Sequence, residues 1–234
     1  MNTKSAVLCF ALALGLTTMA SAQVINEFVA NHTGTDTNEF VEVFGSANTD
    51  LSAYTVIQIE GDGAGAGTID TVLGVGTTDG NGFWVSSFFN NEFENNTQSL
   101  LMVLNFTGSD GSDLDTDNDG ILDLTPWDSV ADCVAVRDND AADQNYCGVI
   151  LMTNFDGNPN IVGGASRIPN GTDTDSVSDW MRNDFEGDGL PGFDGNLDPG
   201  EALNTPGTEN MVPEPGTMIL LGLGALAALR RSRR

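Results

Sequence analysis

Residues 38–62 read NEFVEVFGSANTDLSAYTVIQIEGD, and this stretch decides the fold. Its first part, Glu39–Phe44, concentrates apolar side chains, and its second part, Ala53–Glu60, alternates with the two-residue period of a β-strand. In that alternation, one face would carry Tyr54, Val56, Gln58 and Glu60, and the other would carry Thr55, Ile57 and Ile59. Gly, Ser, Asn and Asp residues between the two parts are typical of turns. The stretch therefore predicts two strands with a turn-rich connection.

Similar segments recur on both sides of this stretch. Further strands are predicted at Val24–Ala30, Gly82–Phe89, Ser99–Phe106, Ser129–Val136 and Tyr146–Met152. Turn residues separate them, and no window of the body of the chain shows sustained helical periodicity. Several short strands with regular turns are typical of a β-sandwich, so we predict an all-β fold in one domain, residues 23–210.

The N-terminal 22 residues have the pattern of a secretory signal peptide. Lys4 supplies a charged head, Ala6–Leu16 forms an apolar run, and Ala20-Ser21-Ala22 offers small residues for cleavage before Gln23. The run is too short for a permanent membrane span. The alternative is a buried N-terminal helix.

The C-terminal segment, residues 211–234, has three parts in a fixed order. Val212-Pro213-Glu214-Pro215-Gly216 comes first, an uncharged apolar stretch follows, and the basic cluster comes last, with Arg230, Arg231, Arg233 and Arg234. As a helix, the apolar stretch would cover roughly 20 Å, which makes it a marginal membrane anchor with the arginines on the cytoplasmic side.

This order resembles the PEP-CTERM sorting signal of Gram-negative bacteria. The resemblance implies export through the inner membrane, processing by an exosortase (a membrane-embedded peptidase) and delivery to the cell envelope, cell surface or extracellular matrix. It also implies attachment to the membrane by the C-terminal helix before processing. The alternative is an ordinary C-terminal anchor.

The charge of the chain is strongly negative. All 34 acidic residues lie between Gln23 and Gly216, where Arg137, Arg167 and Arg182 are the only basic residues, so this part carries a net charge of about −31. Such a field attracts divalent cations and repels nucleic acid, which excludes a nucleic-acid partner.

Two cysteines remain after the signal peptide. Cys133 and Cys147 lie in two predicted strands, and a hairpin centred on Asp140 would place them opposite each other. Because an exported protein meets an oxidising environment, we expect a disulfide between them. The alternative is a pair of buried thiols.

Several short motifs occur in order along the body of the chain. They are Asn26-Glu27, Glu39-Phe40-Val41-Glu42-Val43, Asp50-Leu51-Ser52-Ala53-Tyr54, Arg167-Ile168-Pro169 and Pro206-Gly207-Thr208-Glu209-Asn210. In this order they resemble the lamin-tail domain, an immunoglobulin-like β-sandwich. The resemblance implies a binding or adhesive module rather than an enzyme. The chain departs from the family in its long middle, from Gly74 to about Asn160, which contains an acidic loop insertion.

The acidic loop carries the sharpest chemical signal. Its carboxylates alternate along the chain and a glycine follows the fourth: Asp113, Asp115, Asp117, Asp119 and Asp123, with Gly120. This spacing resembles calcium-binding loops, although Pro126 stands where an EF-hand has its bidentate glutamate. We therefore expect a structural Ca²⁺ of weak affinity in a loop. The alternative is a solvated acidic turn.

A second, weaker cluster lies before the C-terminal segment. It comprises Asp184, Glu186, Asp188, Asp194, Asn196 and Asp198, which again alternate oxygen ligands. This alternation is the one feature of the sequence that favours a second cation site here. The alternative is a turn-rich loop.

Catalysis finds little support in the sequence. His32 is the single histidine and lies in a polar loop, where we expect it to be exposed on the surface. No nucleophile elbow, zinc-protease helix or phosphate loop is present. We therefore expect a structural or adhesive surface protein that interacts with exopolysaccharide or other surface proteins. A carbohydrate-binding module that uses an exposed Trp is the first alternative, and a hydrolase with paired carboxylates is the second.

Overall fold

The 38–62 stretch folds into two strands that belong to different sheets, so the connection between them crosses from one sheet to the other. The structure is a computed structural model that describes residues 23–194 and 197–211. The strands of this part of the chain are β1 (Val24–Val29), β2 (Phe40–Phe44), β3 (Tyr54–Glu60), β4 (Ile69–Gly74), β5 (Phe83–Val85), β6 (Gln98–Leu104), β7 (Ser129–Arg137), β8 (Ile150–Met152), β9 (Gly164–Arg167) and β10 (Trp180–Arg182). Its helical structure is limited to two short 3-10 turns, Gly63–Gly65 and Val177–Asp179.

These strands form two five-stranded sheets with a shared apolar core. The first sheet has the order β10-β9-β1-β2-β5 and is antiparallel throughout. The second has the order β4-β3-β6-β7-β8 and is antiparallel except for the β7–β8 pair. Ile25 and Phe28 of the first sheet and Val56, Leu100 and Met102 of the second belong to one buried cluster. The predicted all-β, two-sheet architecture is confirmed at this level.

Strand β3 is buried on both faces. Its Val56 belongs to the shared core, whereas Ile57 and Ile59 belong to a second cluster on the outer face of the second sheet. Leu114 from the acidic loop completes that second cluster and is 1% exposed. The alternation of Ala53–Glu60 therefore separates two hydrophobic surfaces, and the acidic loop covers the outer one.

The first sheet has a smaller cover of the same kind. Val29 and Phe40 form a cluster with Leu190, against which Phe193 also packs. Both acidic segments that the sequence singles out thus place a buried leucine on the outer face of a sheet. Burying a leucine contributes about 1.5–3 kcal/mol, so each loop is part of the folded domain rather than a free appendage.

The two cysteines are bonded, but the predicted hairpin between them is wrong. Cys133 and Cys147 form a disulfide with their Cα atoms 5.8 Å apart. Strand β8 nevertheless runs parallel to β7, with Ala135 opposite Ile150. Between the two cysteines the chain crosses the end of the second sheet, where the Gln144 amide donates to the Gly61 carbonyl at 2.9 Å. The interval between the cysteines is therefore a crossing loop.

The two predicted targeting segments lie outside the described residues. These are the signal peptide, residues 1–22, and the C-terminal segment, of which only Met211 is described. Within 23–194 and 197–211, none of the helical elements has the length and apolar character that a bilayer crossing requires.

Candidate metal centres

The acidic loop is fixed to the β3–β4 connection by its backbone. The Leu114 amide donates to the Gly67 carbonyl at 2.9 Å, and the Leu114 carbonyl accepts from the Asp123 amide at 2.7 Å. Gly67 approaches the loop so closely that a Cβ added there would lie 2.6 Å from the Asp115 Cβ. Only glycine fits at Gly67, and the predicted metal loop is thereby held at a defined place on the second sheet.

Asp115 is the residue around which the loop is wrapped, and it is fully buried. Its Oδ1 accepts from the Asp119 amide at 3.2 Å, and its Oδ2 accepts from the Gly120 amide at 2.9 Å. The Tyr146 hydroxyl donates to the same Oδ2 at 2.8 Å. Gly120 has a φ of +84°, a conformation that glycine adopts without strain. The alternating sequence thus folds into a tight turn that orients one buried carboxylate.

Three of the five predicted ligands converge at this turn. Asp115, Asp117 and Asp123 each place a carboxylate oxygen within 4.8 Å of the others. The charge of Asp119, followed by desolvation and the charge of Asp123, raises the pKa of the exposed Asp117. Hydrogen bonds from Thr116 lower the pKa of Asp123. An oxygen-only group of this kind suits a hard cation such as Ca²⁺.

The other two predicted ligands make local hydrogen bonds instead. Asp113 Oδ1 accepts from the Asp115 amide at 3.1 Å, and Asp119 Oδ1 accepts from the Ile121 amide at 2.9 Å. Neither belongs to the convergent group of the structure. Asp113 and Asp119 therefore shape the turn, and Asp115, Asp117 and Asp123 are the predicted ligands that could hold an ion together.

The second predicted cluster is only partly assembled as the sequence suggests. Asp184 and Glu186 converge with Glu201, which the sequence pattern did not include. Asp188 and Asp198 contribute backbone amides, which donate to the two oxygens of Asp184 at 2.9 and 3.0 Å. Asp194 lies outside the convergent group, and Asn196 lies outside the described residues. The missed signal is Pro199-Gly200, a turn that brings the next residue, Glu201, back towards Asp184.

Two further acidic groups flank the β3–β4 connection, and sequence spacing predicted neither. One brings together Glu60, Asp70 and Glu94 from three segments, and the other brings Asp62 together with Asp138 and Asp143 of the β7–β8 connection. Burial, followed by the neighbouring Glu94, raises the pKa of Glu60 to about 8. In the second group the Thr97 hydroxyl donates to Asp143 at 2.6 Å. The second sheet therefore carries carboxylate groups at the same end as the acidic loop.

Residues from four of the five motifs of the lamin-tail resemblance lie in a buried polar network instead. Asn26 donates to Glu42 at 2.7 Å, and the other Glu42 oxygen accepts from the Gly207 amide at 2.6 Å. Burial, followed by the nearby Glu27, raises the pKa of Glu42. Asn210 donates to the carbonyls of Asn26 and Arg167 at 3.1 and 3.0 Å. These motifs attach the last described segment to the first sheet, so their role is structural.

Arg167 joins the two sheets and is fully buried. Its Nη2 lies 2.9 Å from Asp132 Oδ1 on β7, and its Nε donates to the Ile25 carbonyl on β1 at 2.8 Å. The guanidinium also stacks over the Trp180 ring at 4.5 Å. Trp180 is 5% exposed, so it does not offer the exposed face that a sugar-stacking role requires.

The expectation that His32 is exposed is wrong. Its ring is 2% exposed and packs edge-on against Phe193, with ring centroids 4.7 Å apart. The Nε2 atom accepts from the Thr37 amide at 3.1 Å, and Nδ1 lies 3.0 Å from the Thr33 carbonyl. The polar loop folds around the ring because the ring satisfies backbone groups that would otherwise be unpaired.

The comparison with known families identifies the C-terminal segment. Residues 212–234 match the family described as the PEP-CTERM protein-sorting motif. The chain carries an exosortase sorting signal. The match contains all the sorting residues that the sequence analysis named, and such a signal indicates an exported protein sorted to the cell envelope of a Gram-negative bacterium. No curated protein and no solved structure matches the chain.

Proposed function

We propose that this is a non-catalytic envelope protein with a structural or adhesive role, and that its sandwich is of the lamin-tail type and is stabilised by calcium. The observation that carries the proposal is the acidic loop. Its Leu114 covers the outer face of the second sheet, and the next residue, Asp115, is the centre of the convergent carboxylates. A cation bound there would hold the hydrophobic cover in place.

The surface charge supports a cation-dependent role. Arg167 and Arg182 are buried and paired with Asp132 and Asp156, so Arg137 is the one basic side chain of the described residues that is partly exposed. A surface with this excess of carboxylates repels other anionic surfaces unless cations screen or bridge them. Extracellular calcium would reduce repulsion within the domain and towards acidic exopolysaccharide or other surface proteins, which are the partners we propose beside the exosortase.

Thermal unfolding of the purified full-length protein tests the calcium proposal. For the affinity of extracellular modules, roughly 0.1–1 mM, about 10 mM Ca²⁺ would stabilise the fold by about 1.4–2.7 kcal/mol relative to excess chelator. The double variant Asp117→Asn/Asp123→Asn should lose most of this gain. The matched control is Asp110→Asn/Asp128→Asn, which removes the same charge from exposed positions at the two ends of the same loop.

The two variants separate a specific site from general screening. If the control keeps the calcium response and the Asp117/Asp123 variant loses it, the convergent carboxylates bind the ion. If both variants respond as the wild type does, the loop is a solvated acidic turn and the calcium proposal fails. The assignment as an exosortase-sorted protein does not depend on this result.

A further inference from the structure

Glu201 is a buried acid, and one of its two carboxylate oxygens has no hydrogen-bond partner among the described residues. The residue is 8% exposed, and its Oε1 accepts from the Asn158 side-chain amide at 3.1 Å. Its Oε2 is buried and makes no hydrogen bond within the described residues. Leaving a buried carboxylate oxygen unpaired is costly, so each such atom in a folded protein calls for a partner.

The backbone holds Glu201 beside two other acids. The next residue, Ala202, pairs with Asn183, and its carbonyl accepts from the Asp184 amide at 2.9 Å. Glu201 is therefore fixed opposite the start of the 184–194 segment. There, one carboxylate oxygen of each of Asp184, Glu186 and Glu201 lies within 4.8 Å of the others.

A cavity opens against this group. Its volume is about 380 Å³, and the residues that line it include Glu186, Asp198, Glu201, Asn158 and Asn160. With about 30 Å³ of liquid volume for each water, the space holds an ion together with water ligands. All these side chains offer oxygen atoms, which are the ligands that hard divalent cations prefer.

The neighbouring guanidinium of Arg182 does not form a hydrogen bond with Glu201 Oε2. Arg182 lines the same cavity, but its Nε donates to Asp156 at 2.8 Å and its Nη1 donates to the Ile161 carbonyl at 2.8 Å. No donor among the described residues bonds Oε2, so this position is left for a divalent cation or a proton.

We propose that Asp184, Glu186 and Glu201 form a second divalent-cation site, separate from the acidic loop, that binds Ca²⁺ and fixes Glu201 and the 184–194 segment to the first sheet. The same segment supplies Leu190 to the outer face of that sheet. A bound ion would therefore fix the last part of the domain before the sorting signal. The proposal is independent of the proposed function and of calcium binding at Asp115.

Calcium titration of the chelator-treated full-length protein tests this site, with the number of bound ions measured by equilibrium dialysis at about pH 7.5. Glu201→Gln keeps the shape of the side chain and an acceptor for Asn158, and Glu209→Gln removes the same charge from an exposed position nearby. We expect Glu201→Gln to bind one Ca²⁺ fewer than Glu209→Gln. The same difference should persist in the Asp117→Asn/Asp123→Asn background, which separates this site from the acidic loop.

A third variant covers the case in which Glu201→Gln does not fold. Glu186 is exposed, so Glu186→Gln leaves the packing intact and should weaken calcium binding at this site by roughly tenfold, because affinity follows the number of charged ligands. If Glu201→Gln and Glu186→Gln bind calcium as Glu209→Gln does, Glu201 holds a proton and the proposal is overturned. If Glu201→Gln is unfolded, an unchanged affinity in Glu186→Gln overturns it alone.

Discussion

Removing the guanidinium of Arg167 should show how strongly the two sheets depend on one buried arginine, which pairs with Asp132 and also with Asp173 and Asp179. The Arg167→Met variant keeps the apolar length of the side chain and removes the partner of Asp132. Asp132 is 8% exposed, and it retains hydrogen bonds from the amides of Ile25 and Cys133 at 2.7 and 2.8 Å. The carbonyls of Ile25 and Thr172 lose their donor at the same time.

The expected loss in free energy of unfolding is about 3–5 kcal/mol, the usual cost of leaving one member of a buried pair uncompensated. This loss should depend on pH. Burial raises the pKa of Asp132 to about 6 even though Arg167 attracts its charge. Without Arg167 the pKa rises further, so the folded variant binds a proton over a wider pH range than the wild type. Its stability therefore falls more steeply as the pH rises, and the loss is larger at about pH 7.5 than at about pH 5.

Denaturant unfolding at both pH values, with calcium held constant, measures this loss. Arg182→Met is the matched control, because Arg182 is also buried but the side chain of its partner Asp156 is 24% exposed and can be solvated. It should cost only about 1–3 kcal/mol. In the double variant Arg167→Met/Asp132→Asn, the combined loss should be smaller than the sum by about 1–3 kcal/mol. A loss for Arg167→Met below about 1 kcal/mol, or the same loss at both pH values, would refute the reasoning.

Two further predictions concern the buried acids and the loop cover. Burial raises the pKa of Glu39 to about 7 and also raises the pKa values of Glu27 and Glu42, so the folded protein retains protons that the unfolded chain releases above a pKa of 4.5. The stability of the protein in chelator should therefore fall as the pH rises from about 4.5 to 7. A flat or rising profile of unfolding free energy over this range would contradict the prediction. Leu114→Ala should lower the free energy of unfolding, measured by chemical denaturation, by about 2–5 kcal/mol. Leu124→Ala, at a position 56% exposed in the same loop, should lower it by less than about 0.5 kcal/mol. Equal effects would show that the loop is not a hydrophobic cover.

The sequence predicted the strands whose apolar character is continuous or regularly alternating. β1, β2 and β3 fall within the predicted segments, and β6 and β7 each extend one residue beyond theirs, because their side chains pack on one or two hydrophobic surfaces. β4, β9 and β10 were missed. The sequences of β9 and β10, GASR and WMR, are too short to show a period, and their strand conformation depends on the pairing of β10 with β9 and of β9 with β1. Such strands exist because of neighbours that are distant in the chain.

The β7–β8 connection shows how a local rule can give a correct pair and a wrong topology. Hairpin symmetry places Cys133 opposite Cys147, but the chain between them is held by contacts to other strands, among them the Tyr146 amide to Ser99 Oγ at 2.9 Å. These contacts are not readable from the spacing of the cysteines. They direct the chain across the end of the sheet and into a parallel strand.

The candidate metal sites also differ in how far the sequence alone predicts them. Alternating carboxylates in one turn can be recognised from sequence, because neighbouring residues must share a small volume, and Asp115, Asp117 and Asp123 do so. Glu60, Asp70 and Glu94 come from different segments, and no spacing rule connects them. Glu201 is an intermediate case, since it follows the predicted cluster but needs the pairing of Ala202 with Asn183 to reach Asp184.

The motifs and the loops contribute to different properties of this domain: the motifs stabilise the fold, and the loops carry most of the candidate binding groups. Residues from four of the five motifs of the lamin-tail resemblance meet in one buried network, in which Asn210 bonds to Asn26 across 184 positions of sequence. The convergent acidic groups lie mainly on the connections and the loop segments, and two of those segments each insert a leucine over a sheet. Changes in the loops that keep Leu114 and Leu190 would therefore alter the proposed cation sites without disturbing the buried network, whereas changes in the network would destabilise the whole domain. Ligand specificity should accordingly be sought on the loops.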